Sequence, residues 1–230
     1  MAKLAATKKA LMAVGIVVII FSSSLMILFL GTLSFGESLP RQIHVACVGD
    51  SITEGSGYPE NLQVMLGANY KVGNFGVSGS TVLANSTLPY ISQQACLRAK
   101  AFQPSVVVIL LGTNDAQENT YESIDAFSQD YKKLINEYQS LESSPDIWLV
   151  TPPPIFANNM RLSNTNLEQG VLPCIEQVAI ELDLPLIDVN TVLTGYPDYF
   201  GDGVHPNSEA AMLIANEISQ ALTSDGATAE

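Results

Sequence analysis

Basic residues are scarce. Ten Lys and Arg face 23 Asp and Glu, a net charge of -13 over 230 residues. Nucleic-acid binding needs a basic face to neutralise phosphates, and this balance argues against it. Three cysteines, Cys47, Cys96 and Cys174, are an odd number, so they cannot all pair internally. No CxxC or histidine-rich set exists, which argues against a structural zinc site. Cys96 and Cys174 are free to form a disulfide in an oxidising compartment, though nothing in their spacing demands it. Charged residues make up only 14% of the chain and hydrophobic ones 47%, so it can fill a core and is not disordered as a whole. There is no internal repeat and no low-complexity domain. Histidine is rarest of the chemically useful residues, with two only, His44 and His205.

The first acidic residue is Glu37. Before it, Lys3, Lys8 and Lys9 precede the uncharged stretch "LMAVGIVVIIFSSSLMILFL" at 11–30. Twenty helical residues span about 30 Å, the thickness of a bilayer core. The expectation is a cytoplasmic basic tip and signal anchor over 1–36, with cleavage near "LSFG" as the alternative that would give a secreted protein. The main domain then lies outside the cytoplasm, tethered to the membrane by its N-terminal transmembrane helix. Residues 37–42 read as a linker, 43–222 as one domain and 223–230 as a flexible tail.

Within 43–222 strands and helices alternate. Strands are expected at 43–49, 70–76, 105–112, 146–152 and 185–189. Helices are expected at 58–67, 89–102, 121–141, 166–182 and 207–222. "SVVVILLG" is apolar throughout and reads as a central parallel strand. Ile124, Phe127, Tyr131, Leu134, Ile135 and Tyr138 fall at helical spacing. Such alternation implies a parallel sheet covered by helices on both faces. Right-handed crossovers gather all strand-to-helix loops at one end of the sheet, where ligands of such folds bind.

That end selects a few loops. They are "GDS" at 49–51, "GVSGST" at 76–81, "GTND" at 112–115, "TPPPIF" at 151–156 and the region running to "DGVHP" at 202–206. A serine hydroxyl needs a base to become a nucleophile. His44 opens the first strand, roughly 16 Å from its carboxyl end, and cannot reach Ser51. His205 is the imidazole on the selected side. Asp202, three residues earlier, can turn back to its other ring nitrogen. Candidate oxyanion donors are the backbone N–H groups of Ser51 and Gly79 and the side-chain amide of Asn114. Singly, Gly79 is as well read as a turn glycine and Asn114 as a helix cap. Together, at successive strand ends, they favour a site.

"VGDSITEG", "NFGVSGST", "LLGTNDA" and "DGVHPN" resemble, in order and spacing, the motif blocks of the SGNH (GDSL-like) hydrolase family. The resemblance implies an α/β fold, a flavodoxin-like three-layer α/β/α sandwich with a five-stranded parallel sheet. It implies a serine hydrolase acting on ester bonds with no metal and no cofactor. Ser51 would be the nucleophile, His205 the base and Asp202 its partner, with Ser51, Gly79 and Asn114 forming the oxyanion hole. "NFGVSGSTVL" and "VVVILLGTNDAQ" look similar to sialate O-acetylesterase-like and other sugar-acetylesterase branches. The expected substrate is an ester of a glycan or small molecule, with O-deacetylation of a glycan favoured. A lysophospholipase or thioesterase is the alternative, and a glycan-binding module without catalysis is the reading from another class. Tyr196, Tyr199 and Phe200 offer either a platform for a sugar ring or simple packing against the domain. Trp148, inside a strand, reads as core, and "NST" at 85–87 is a glycosylation sequon.

Overall fold

The computed structural model describes residues 42–117 and 124–225. Five parallel strands form one sheet in the order β2-β1-β3-β4-β5. They are β1 (Ile43–Gly49), β2 (Tyr70–Gly76), β3 (Val106–Leu110), β4 (Asp146–Val150) and β5 (Leu186–Ile187). Residues alternate between the faces of a strand, and so does the core. Ala46, Val48, Val107, Ile109, Ile147 and Leu149 face one hydrophobic cluster. Val45, Cys47, Val106, Val108, Leu110 and Trp148 face the other. The three central strands β1, β3 and β4 are therefore apolar on both sides, as buried parallel strands must be.

Helices α1 (Ser51–Gly55), α2 (Tyr58–Leu66), α3 (Gln94–Ala101) and α4 (Ile124–Gln139) are followed by α5 (Asn164–Asn166), α6 (Leu172–Glu181), α7 (Val189–Leu193) and α8 (Ser208–Asp225). Helix α4 buries Phe127, Tyr131, Leu134, Ile135 and Tyr138, the stripe that helical spacing picks out. With α3 and α6 it covers one face of the sheet, while α2, α7 and α8 cover the other. Removing one such Leu or Ile from water contributes about 1.5–3 kcal/mol.

The helix expected at 121–141 is described from Ile124, since 121–123 lie outside the described residues. That expected at 89–102 begins as a short 3-10 turn, Tyr90–Ser92, before α3. Between α5 and α6 the chain makes a π turn, Leu167–Val171. Pro173 lies just beyond it in the first turn of α6, where its missing N–H costs little. Two short helices, α1 and α7, were not expected. Each is announced by an aspartate cap, Asp50 taking the N–H of Ile52 and Asp188 that of Thr191. Cys96 is a buried thiol whose sulfur accepts the Tyr138 O–H at 3.6 Å, so the disulfide with Cys174 is not made. Burial pushes the Cys47 thiol up to about 12, which leaves it an apolar filler.

One expectation needs correction. The fold class was to include a transmembrane helix, and membrane attachment and an extracytoplasmic location were to rest on it. The segment 11–30 lies outside the described residues, and no helix among the described residues is long and apolar enough to cross a membrane. Helix α8, at 18 residues, carries Glu209 and Glu217, and α4, at 16, falls short of the roughly 20 apolar residues a span needs. Among the described residues the fold class is the α/β/α sandwich. Membrane contact, signal anchoring and an extracytoplasmic location have no helix in it to rest on.

Candidate active site

The order 2-1-3-4-5 reverses direction between β1 and β3, and the loops leaving those two strands diverge there. Ser51 follows β1 by two residues and Asn114 follows β3 by four. Gly49 and Gly76, the last residues of β1 and β2, are paired across the sheet. They form a floor without side chains on which α1 lies. A Cβ on Gly76 would stand 2.2 Å from the Glu54 nitrogen, and one on Gly49 would stand 1.9 Å from the Thr53 hydroxyl oxygen. Backbone against backbone thus fixes the height of α1, and with it Ser51.

His205 Nε2 lies 2.9 Å from Ser51 Oγ. Its Nδ1 lies 2.7 Å from Asp202 Oδ2, so Nδ1 carries the proton and donates it to the carboxylate. Asp202 Oδ1 accepts the N–H groups of Val204 and His205 at 2.9 and 2.8 Å. Burial opposes its charge, but these bonds outweigh it and hold the carboxyl down to about 2. The loop is further tied to the turn after β4, where the Phe156 N–H donates to the Gly203 carbonyl at 2.7 Å.

The three expected oxyanion donors lie on neighbouring loops. Among the described residues, the N–H groups of Ser51 and Gly79 have no acceptor within the chain. Gly79 has φ +78, a conformation that disfavours any side chain. The Asn114 amide donates to the Ser80 carbonyl at 3.1 Å and to Asp50 Oδ2 at 3.3 Å.

Several supporting residues lay beyond the sequence reading. Glu54 on α1 accepts both the N–H (2.8 Å) and the hydroxyl of Ser78, which clamps the Gly79 turn onto α1. The Ser78 hydroxyl and N–H lower the pKa of that carboxyl. Asp115 takes the N–H groups of Val82 and Leu83, each at 2.9 Å, and Asp130 on α4 takes that of Ala84 at 2.8 Å. Asp50 is fully buried beside Ser51, with its Oδ1 on the Ile52 N–H at 2.9 Å. Burial pushes its carboxyl up to about 7 against the pull of that N–H; the Asp115 charge adds to the rise and His205 opposes it. A buried acid next to Ser51 is readable in the sequence only as the helix cap it also is. His44 sits at the far end of β1, stacked on Phe102, and donates from Nδ1 to the Phe102 carbonyl at 3.0 Å. Phe200 is buried against Phe156, so the aromatic platform loses that member.

Such a constellation can carry out acyl transfer, with a hydroxyl against an imidazole, a carboxylate behind it and N–H donors to one side. A carbohydrate acetylesterase from Sinorhizobium meliloti has a similar structure, with TM-score 0.65 at 17% identity over 80% of this chain and 99% of that one. The lipase/acylhydrolase from Enterococcus faecalis is similar too, with TM-score 0.64 at 22% identity over 80% and 97%. At these identities both speak to the fold. An acetylxylan esterase from Xylanibacter ruminicola is 33% identical over 206 residues, which cover 78% of this chain and 43% of that protein. The chain thus spans less than half the length of that relative. The model of the GDSL-like Lipase/Acylhydrolase family matches residues 47–213. From its sheet order to the loops that carry Ser51 and His205, the chain belongs to the GDSL-like Lipase/Acylhydrolase family.

Proposed function

We propose that the chain removes acetyl groups from an acetylated glycan, with Ser51 as nucleophile, His205 as general base and Asp202 holding the imidazole. The observation that carries this reading is the continuous line from Ser51 Oγ to His205 Nε2 and from Nδ1 to Asp202. Ser51 Oγ attacks the ester carbonyl carbon while its proton passes to Nε2. The carbonyl oxygen becomes an oxyanion facing the N–H groups of Ser51 and Gly79 and the Asn114 amide. To reach it, that amide gives up the longer of its two bonds, the one to Asp50. Collapse of the tetrahedral centre breaks the bond to the sugar oxygen, which takes the proton from Nε2. Water, deprotonated by the same nitrogen, then attacks the acetyl-serine; the bond from Ser51 Oγ to the acyl carbon breaks, Oγ takes the proton back from Nε2, and acetate leaves.

Two observations support a glycan as the alcohol. The side chains of Asp202 and His205 are 46% and 41% exposed, so the pair stands on an open rim that a bulky alcohol can approach. The relative that is 33% identical is named for action on acetylxylan. Ser51→Ala should lower kcat on p-nitrophenyl acetate and on acetylated xylotetraose by about 10³-fold or more. Turnover within tenfold of the parent on either substrate would remove Ser51 from the scheme.

A further inference from the structure

We propose that the groove between Tyr196 and the start of α8 is a carbohydrate subsite that holds a pyranose ring of the glycan next to the one being deacetylated. The inference rests on the deacetylase reading above.

The groove has a volume of about 400 Å³ and is lined by Tyr196, Tyr199, Ser208, Glu209, Met212 and Leu213. Tyr196 and Tyr199 lie nearly parallel, 12° apart with centroids at 5.0 Å. Tyr199 and Leu213 are anchored on the core beneath, while Tyr196 and Met212 stand 44% and 47% exposed above it. The stack holds a large flat apolar surface at the rim. Such a surface suits the C–H face of a pyranose, which loses water on packing flat against a ring. Polar groups flank it, as a sugar's edge requires. The Ser208 hydroxyl donates to Glu209 at 3.0 Å, leaving the rest of that carboxylate to accept sugar hydroxyls.

Direction makes the assignment specific. In ester hydrolysis the acyl oxygen turns to the oxyanion donors, and the departing alcohol must meet the imidazole that protonates it. The sugar therefore lies on the His205 side of Ser51. The groove is built from residues that flank His205 in the chain. Tyr196 and Tyr199 lead into Asp202, Ser208 follows His205 by three residues, and the Asn207 N–H donates to the Tyr199 carbonyl at 2.8 Å. The proposal therefore seats on the tyrosine stack the ring that a glycan chain extends past His205.

Two measurements on the whole chain test the assignment. The first is binding of unacetylated xylohexaose by calorimetry to the parent, Tyr196→Phe and Tyr196→Ala. The phenylalanine variant, which keeps the ring, should stay within about twofold of the parent, and the alanine variant should weaken binding about tenfold. The second is the ratio of kcat/KM on acetylated xylotetraose to that on p-nitrophenyl acetate, which should fall about tenfold in Tyr196→Ala, mainly through KM. A parent that does not bind xylohexaose, or an alanine variant equal to the parent in binding and in ratio, overturns the subsite. A parent that binds xylohexaose through Tyr196 yet leaves acetylated xylotetraose intact supports the groove and overturns the substrate reading instead.

Discussion

Replacing Asp50 with asparagine tests the buried acid beside Ser51. In the folded chain its carboxyl titrates at about 7, raised by burial, against 3.8 ordinarily. Between those limits the folded chain holds a proton that the unfolded chain has released. Stability is then fullest below pH 3.8, declines as pH rises toward 7, and is level above. At about 1.4 kcal/mol per pH unit the decline attributable to Asp50 is about 4 kcal/mol, of which about 3 kcal/mol falls between pH 5 and pH 8. Asparagine is uncharged at every pH, nearly the shape of the protonated acid, and still able to cap α1. Urea unfolding of parent and Asp50→Asn at pH 5 and pH 8 isolates the effect, because shared groups such as Asp115 largely cancel in the difference. The two proteins should lie within about 1 kcal/mol of each other at pH 5, and the variant should be the more stable by about 2–3 kcal/mol at pH 8. Parallel pH dependences would refute the reasoning, for they would mean that Asp50 stays ionised in the fold.

Gly76→Ala would force a Cβ against the backbone of α1, so it should lose about 1–3 kcal/mol in urea unfolding and lower kcat by displacing Ser51. Asp202→Asn removes the acceptor of the His205 Nδ1 proton, and kcat should fall about 10²–10⁴-fold with little change in KM. In the parent, Asp202 at about 2 stays ionised through mild acid. Loss of kcat/KM through protonation of Asp202 should therefore appear only in strong acid, near pH 2; a step in mild acid that Asp202→Asn abolishes would count against the assignment.

The central strands were legible because each is a short apolar run closed by glycine, proline or a polar turn, and β1 and β2 fall at the expected 43–49 and 70–76. The pieces of the site were legible for a related reason. A parallel sheet sends its strand-end loops to one rim, so Ser51, Gly79, Asn114, Asp202 and His205 could be grouped from topology alone. What escaped was of two kinds. Helices α1 and α7 are five residues each, too short for a periodic pattern to emerge, and only their aspartate caps marked them. The carboxylates that support the site, Glu54 on Ser78 and Asp115 on Val82 and Leu83, act across 24 to 33 positions with no local signature. For Phe200 the sequence leaves a sugar platform and packing against the domain both open, because an aromatic in a loop carries no mark of which way it faces; Phe156 takes it inward.

Three successive amides, at Val82, Leu83 and Ala84, hang from Asp115 and Asp130, and neither acid belongs to the segment it suspends. This stretch of rim is thus a bridge whose cables are moored in later parts of the chain. Grafting a foreign loop here to alter selectivity would sever three tethers and strand the Asp115 carboxylate in the interior, while Asp130 would keep Lys133. A workable transplant has to bring its own moorings, exchanging the loop, the turn after β3 and the start of α4 as one piece.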